Sequence, residues 1–221
     1  MRKLLEIGGF VAAVVLIAFG VVTIVMGVSG RHTVASSLKT EQITGTSDMT
    51  PAGITTEAKK AKLDVSTLAI PSCSVANDPV NTGARARCFA EYMQIHALEA
   101  TGGFVYAQMG QYEAKPGTPK ADLTPDGATS NAAYAVLDPK TQQPVSNGAR
   151  NVWVTETALT TALNSSYMAA QLGLFAIVVG FALLLAGIGF GILAVGPLRD
   201  PERALSFSKP KKTKVEPVPT V

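Results

Sequence analysis

The longest apolar run in the chain extends from Met168 to Val195 and constrains the fold more than any other feature. It is 28 residues long, contains no charged residue, and has Gln171 as its only strongly polar side chain. An uncharged apolar run of 18 or more residues is typical of a helix that spans a lipid bilayer. A second uncharged run, from Ile7 to Val28, is 22 residues long. The sequence therefore predicts a hairpin of two transmembrane helices, at 7–29 and 167–196.

The charges around these runs predict the orientation of the hairpin. Residues 1–6 and 197–221 together carry eight basic and four acidic residues, whereas residues 30–166 carry eleven basic and twelve acidic ones. Basic residues close to a membrane span remain on the cytoplasmic side. We therefore expect a plasma-membrane protein with both termini in the cytoplasm and an extracytoplasmic domain at 30–166. Arg31, directly after the first run, opposes this orientation.

The two ends of the chain each allow an alternative. The charged start and the first apolar run resemble a cleavable signal peptide, but such peptides use only about 7–15 apolar residues. Residues 197–221 are charged and contain prolines, which predicts a disordered basic cytoplasmic tail. The lysines between Lys209 and Lys214 could contact anionic lipids. The simpler interpretation is a solvated tail that reinforces the topology.

The domain between the spans has a mostly helical pattern. Thr50-Pro51 is a favourable helix start, and a central helix begins near Ala84 and stops at Gly102-Gly103. Nothing breaks the helical pattern between about 152 and 195, which predicts one long helix with Trp153 buried in the domain. The apolar segments 104–109 and 132–138 could pair as one small β-hairpin. The predicted fold class is a mainly α membrane protein.

The chain has two cysteines, Cys73 and Cys88. An even number of cysteines in an extracytoplasmic domain indicates a disulfide, because that compartment is oxidising. The alternative is two buried free thiols. The disulfide would pin the intervening loop to the start of the central helix.

Small residues recur every seven positions in both apolar runs, which predicts how the two helices pack. Small side chains let helix backbones approach closely, and a seven-residue repeat keeps them on one face. The simplest interpretation is that the two stripes face each other. A second one is that the Gly187-x-x-x-Gly191 pair faces another membrane protein or a second copy of the chain. The stripe residues are Ala13, Gly20 and Gly27 in the first run and Gly173, Gly180, Gly187 and Gly191 in the second.

No motif in the sequence specifies a catalytic site. His96 and Glu99 could lie together on a helix, but a zinc or iron site needs at least three protein ligands, and the other histidine is His32. There is no G-x-S-x-G elbow and no phosphate-binding glycine loop. The short basic tail without aromatics does not support nucleic-acid binding. We therefore expect no catalytic, metal or cofactor-binding residues.

Three segments resemble an uncharacterised family of two-span membrane proteins from actinobacteria. They are Asp48-Met-Thr-Pro51, the segment from Ala86 to Gly103 that contains CFAEYMQIHALEATGG, and VWVTETALTTALN at 152–164. The resemblance implies a membrane location for nearly everything up to Pro197. Some members carry an automatic label as an aromatic-ring-opening dioxygenase subunit. That activity would use iron on two histidines and a carboxylate.

These observations together predict a non-enzymatic, membrane-anchored accessory or interaction protein. Its expected partners are the lipid bilayer and either another membrane protein or a second copy of the chain. A membrane-bound enzyme such as a metal-dependent oxygenase is one alternative. A sensor that passes an external signal to its tail is another.

Overall fold

The computed structural model describes residues 2–196 and is mainly helical. Its α-helices are α1 (Arg2–Thr40), α2 (Pro51–Lys60), α3 (Gly83–Ala100) and α4 (Gly148–Val195). Short 3₁₀ turns connect them, at Val65–Thr67, Tyr106–Gln108, Lys120–Asp122 and Ala132–Tyr134. The predicted tail at 197–221, with its lysines, lies outside the described residues.

Both α1 and α4 are long and apolar enough to cross a membrane. Their most apolar windows are only 17% and 11% buried, whereas the core helix of a soluble protein would be mostly buried. The exposed residues include large apolar side chains such as Phe19, Val25, Phe175 and Phe181. An apolar helix surface of this extent indicates a lipid environment. The structure therefore has the two apolar helices that the sequence predicts.

The described residues form two compact units. The helix-pair unit comprises 2–29 and 173–196, and the central unit comprises 30–172. α1 continues as helix to Thr40, and α4 is unbroken through Asn164 and Ser166. The prediction of one helix from about 152 to 195 is thus confirmed, although the helix begins four residues earlier.

The core of the central unit is built mainly by α2 and α3. Ile54 and Ala58 on α2 are fully buried, as is Tyr92 on α3. Ile54 and Ala58 are four residues apart, and the buried α3 residues Tyr92 and Ile95 are three apart, so each helix directs an apolar face inward. Side chains from the outer parts of α1 and α4 complete the cluster, among them Leu38 and Leu163.

Local capping explains where α2 and α3 begin and end. Thr50 caps α2 by accepting a hydrogen bond from the Gly53 N–H at 3.0 Å, and Pro51 occupies the first helical position. α3 ends where Gly103 adopts a φ of 85° and its N–H bonds the Leu98 carbonyl at 2.8 Å. Only glycine takes that conformation without strain. The predicted start at Thr50-Pro51 and stop at Gly102-Gly103 are both confirmed.

The segment between α3 and α4 is irregular, and the strand predicted at 104–109 is wrong. Tyr106–Gln108 forms a 3₁₀ turn instead, and the described residues contain isolated β-bridges but no strand. Ala135 forms a bridge with Ala114, and Leu137 forms one with Pro144. β-Propensity at Phe104–Tyr106 is overridden because no neighbouring strand is present to pair with it.

One expectation about the first turns of α4 needs correction. Trp153, which we expected to be buried in the domain, is only half-buried, and Val152 beside it is 43% exposed. The apolar residues of this part of α4 that pack in the core cluster are Leu159 and Leu163. The buried residue nearest the start of this helix is a carboxylate, Glu156.

Candidate functional site

Gly20 and Gly180 lie directly opposite each other in the helix-pair unit. A Cβ added to Gly180 would lie 2.8 Å from the Gly20 carbonyl oxygen and 2.6 Å from the Ile24 side chain. A Cβ on Gly20 would in turn lie 2.8 Å from the Gly180 carbonyl oxygen. These distances are shorter than van der Waals contact, so only glycine fits at either position. The backbones of α1 and α4 are therefore in direct contact at these two glycines.

The remaining stripe residues continue this contact along both helices. A Cβ on Gly27 would lie 2.5 Å from the Gly173 carbonyl oxygen, and one on Gly187 would lie 3.1 Å from the Ala13 carbonyl oxygen. A Cβ on Gly191 would lie 3.7 Å from the Ala13 methyl group. Gly187 and Gly191 thus face α1 within the chain. An additional partner at Gly187-x-x-x-Gly191 stays a prediction.

Cys73 and Cys88 form a disulfide with a Cα–Cα distance of 6.2 Å. The bridge ties the loop that follows α2 to the second turn of α3. The Tyr92 hydroxyl, one turn further along α3, donates to the Cys73 carbonyl at 2.6 Å. One covalent and one polar link therefore hold the same loop residue. The sequence predicted the first link from the cysteine count but gave no signal for the second.

His96 lies between two carboxylates. Its Nδ1 is 2.9 Å from Glu99 Oε2, one turn along α3, and its Nε2 is 3.2 Å from Asp48 Oδ2, in the turn before α2. Burial alone would raise the pKa of Asp48, but hydrogen bonds from Thr46 and from its own backbone N–H, together with the charge of His96, lower it. The sequence suggested the Glu99 contact from helical spacing. It gave no signal for Asp48, which is 48 positions away.

These residues do not fit the iron site that the dioxygenase label implies. Such a site needs two histidines and a carboxylate with a free nitrogen lone pair on each ring. Both nitrogens of His96 face carboxylate oxygens, and His32 lies exposed on α1. Within residues 2–196, no three His, Cys, Asp or Glu side chains converge as metal ligands would.

Asp126 organises the irregular segment between α3 and α4. Its Oδ1 accepts hydrogen bonds from Thr124 Oγ1 at 2.6 Å, the Ala128 N–H at 3.2 Å and the Gly110 N–H at 3.3 Å. Its Oδ2 accepts one from Asn147 Nδ2 at 2.7 Å. Burial raises the pKa of this carboxyl, but the four hydrogen bonds outweigh burial and lower it. Sequence reasoning missed this group because its partners are up to 21 residues away.

Asn147 extends this arrangement to α4. It is 7% exposed, and its Nδ2 also donates to the Gly110 carbonyl at 3.0 Å. Its Oδ1 accepts from the Ala149 N–H at 3.1 Å, which caps the first turn of α4. The irregular segment and the start of α4 therefore depend on the same two side chains. We name Asp126 and Asn147 the polar hub.

The start of α3 packs against α4 through a glycine and a stacked cation. A Cβ on Gly83 would lie 2.7 Å from the Ala170 methyl group and 3.1 Å from Tyr167 Cα. The Arg87 guanidinium lies 5.0 Å from the centre of the Tyr167 ring and also pairs with Glu91 at 3.1 Å. The Tyr167 ring thus has a partner on α3.

Glu156 is the most buried carboxylate of the described chain. It is 6% exposed, and Thr157 Oγ1 donates to it at 3.5 Å. None of the ion pairs formed by residues 2–196 includes it. Burial raises its pKa, and the hydrogen bonds from Thr160 and Thr157 offset only part of that effect. The charged form is therefore disfavoured at this position.

The irregular segment presents an open, mainly polar hollow of about 560 Å³ on its surface. Asp122 and Asn131 line it and hydrogen-bond each other at 2.9 Å. Ser130, on the same rim, is exposed. A surface of this kind suits contact with another macromolecule better than it suits enclosure of a small substrate.

Comparison of the chain with models of known protein families, with curated proteins and with solved structures finds no match. The function is therefore inferred from the helix pair, the disulfide and the irregular segment.

Proposed function

We propose that the protein is a non-enzymatic, membrane-anchored accessory or interaction protein. In this proposal α1 and α4 anchor it in the plasma membrane, both termini are cytoplasmic, and residues 30–166 form an extracytoplasmic domain. The distribution of basic residues and the Cys73–Cys88 disulfide support this orientation. The resemblance to two-span actinobacterial proteins supports the membrane location.

One observation carries the interaction role, namely the irregular segment between Ala100 and Gly148. Connections longer than about 12–15 residues without regular structure are uncommon in compact domains and are usually functional or disordered. This segment is held in place by backbone hydrogen bonds and by the polar hub. A long, irregular and fixed surface is the arrangement that binding loops on rigid scaffolds use.

Cysteine labelling tests the orientation. Both native cysteines are in the disulfide, so one introduced cysteine gives a single free thiol. In intact cells a membrane-impermeant maleimide should label Ser130→Cys. It should label Ser208→Cys, in the tail, only after the membrane is permeabilised. The reverse pattern would show that the termini are outside.

Site-specific photo-crosslinking in intact membranes tests the interaction role. A photoreactive phenylalanine replaces exposed Ala121 or Ser130 on the irregular segment, and a matched control replaces exposed Thr56 on α2. We expect a discrete adduct of one protein species from the first two positions and none from the control. Equal adducts from all three positions, or none, would contradict a specific surface on this segment.

Metal analysis of the purified full chain tests the enzyme alternative. Stoichiometric iron or zinc would overturn the non-enzymatic proposal. Such a metal would need His96 or His32 as a ligand, and both ring nitrogens of His96 already face carboxylates. We expect metal well below one equivalent per chain.

A further inference from the structure

His96 is placed where it connects three parts of the central unit. Asp48, which faces its Nε2, lies in the turn that begins α2. The next residue, Met49, is 2% exposed, and its carbonyl accepts from the Val75 N–H at 3.2 Å, beside the disulfide loop. The Asp48 turn therefore touches α2, α3 and the loop that contains Cys73.

Both nitrogens of the His96 ring face an acceptor, which suits a ring that carries a proton on each of them. Nδ1 and Nε2 each lie within 3.2 Å of a carboxylate oxygen. A neutral imidazole carries one N–H and one lone pair, whereas the imidazolium carries an N–H on each nitrogen. With a neutral ring, one nitrogen would direct its lone pair at a carboxylate. Nε2 of His96 and Oε1 of Glu99 are also buried atoms without a well-aligned hydrogen bond, so water does not easily replace a lost contact.

We propose that His96 is a proton-dependent latch that holds the Asp48 turn and the start of α2 against α3 when it is charged. When the ring loses one proton, Nδ1 keeps its contact with Glu99 within α3, where helical spacing holds the two residues together. The contact to Asp48 becomes a repulsion, and the turn loosens. The latch does not depend on the proposed topology or on the interaction role.

The other charged groups near this turn do not replace the histidine. Glu57 and Lys60 on α2 pair with each other at 2.6 Å, and Lys59 is exposed. On α3, Glu91 pairs with Arg87. Among the described ion pairs, Asp48 takes part only in the one with His96. Thus the turn has one ion pair with α3, and its partner on α3 is an imidazole, whose charge depends on whether it holds a second proton.

Hydrogen exchange of the full chain in lipid nanodiscs tests the latch. We expect the amide protection of residues 49–54, corrected for intrinsic exchange, to fall about tenfold between about pH 5.5 and pH 8, which is the scale of one charge-assisted contact between a ring nitrogen and a carboxylate. His96→Gln, which is neutral at every pH, should show the low protection throughout that range. The matched control is His32→Gln, which removes the other histidine and should retain the wild-type response.

Three outcomes would overturn the proposal. They are constant protection in the wild type, a pH response that persists in His96→Gln, and a response that disappears in His32→Gln. If His96→Gln does not fold, Asp48→Asn provides the second variant. It keeps the size of the side chain but removes the charge, so protection of the same amides should again become independent of pH. A nitrogen NMR titration of the wild-type ring must then show the charge change over the same pH range.

Discussion

The helix-pair unit and the central unit are held together by different kinds of contact. In the helix-pair unit the decisive positions have no side chain, because Gly20 and Gly180 let two backbones meet. In the central unit the decisive positions carry sulfur or polar groups, as at Cys73, Asp126 and Asn147. The first unit should therefore be sensitive to added volume, and the second to lost bonds.

The difference follows from the surroundings of each unit. If α1 and α4 lie in lipid, as we propose, the hydrophobic effect cannot draw them together, so close packing must supply the attraction. The central unit has a small core and a long segment without strands, so apolar burial alone gives it limited stability. The Cys73–Cys88 bridge and the partly buried Asp126 carboxylate, which accepts four hydrogen bonds, compensate for that deficit.

Adding volume to the helix contact should give the largest effect. Gly180→Leu would place side-chain atoms where the Gly20 carbonyl and Ile24 now lie, and we expect a loss of about 3 kcal/mol or more in unfolding free energy. Reversible unfolding in mixed micelles measures it. Gly189→Leu is the matched control, because a Cβ there meets nothing within 4 Å, and its effect should stay below about 0.5 kcal/mol. Similar losses of unfolding free energy in both variants would show that the contact at Gly180 does not stabilise the helix pair.

Removal of the disulfide should destabilise the central unit by a comparable amount. The Cys73→Ala/Cys88→Ala variant frees a loop of 15 residues in sequence separation, and the chain-entropy model gives a loss of about 3 kcal/mol. Hydrogen exchange resolved along the chain should show lower protection in α2 and α3 and unchanged protection near Gly20. An equal loss of amide protection in both units would mean that they unfold together and that the disulfide does not stabilise the central unit specifically.

The polar hub should give an intermediate effect that depends on pH. Asp126→Asn retains one acceptor oxygen but turns an amide donor toward Asn147, and we expect a loss of about 2 kcal/mol near neutral pH. The folded-state pKa of Asp126 is lowered, so its stabilising contribution is present above the ordinary aspartate pKa and is lost as the pH falls through the folded-state value. Denaturant unfolding at several pH values measures this.

The control for the hub is Asp138→Asn, in an exposed turn with local donors only. Backbone hydrogen bonds from Thr141 and Lys140 also lower the pKa of Asp138. Because the turn is exposed, we expect its loss to be clearly smaller than that of the hub variant. If both variants lose the same stability, the long-range hydrogen bonds of Asp126 contribute nothing beyond those of an ordinary turn.

The sequence was informative where the determining contacts are local or periodic. Thr50-Pro51 and Gly102-Gly103 set helix ends by backbone chemistry within a few residues. The length of the apolar runs was sufficient to identify α1 and α4. The cysteine count predicted the bridge because there was only one way to pair two thiols.

The sequence was uninformative where partners are distant and polar. No local pattern distinguishes Asp126, since its bonds to Gly110 and Asn147 span 16 and 21 residues. Asp48 and His96 meet across 48 positions. The apolar residues at 104–106 suggested a strand, but Val105 and Tyr106 are exposed, and Tyr106 stacks with Arg150 at 4.2 Å. The β-propensity of these residues does not show whether a neighbouring strand is present to pair with them.

Glu156 gives the smallest predicted effect, and it is opposite in sign to that of the hub. Burial raises its folded-state pKa, so its contribution to stability is fully present below the ordinary glutamate pKa and is lost as the pH rises through the folded-state value. Glu156→Gln should therefore stabilise the central unit near neutral pH and leave its stability unchanged near pH 4. The control, exposed Glu113→Gln, should leave the stability unchanged at both pH values. Destabilisation at neutral pH would show that the charged carboxylate has a stabilising partner. Asp126 and Glu156 would then act alike, rather than one carboxylate stabilising the fold when charged and the other opposing it.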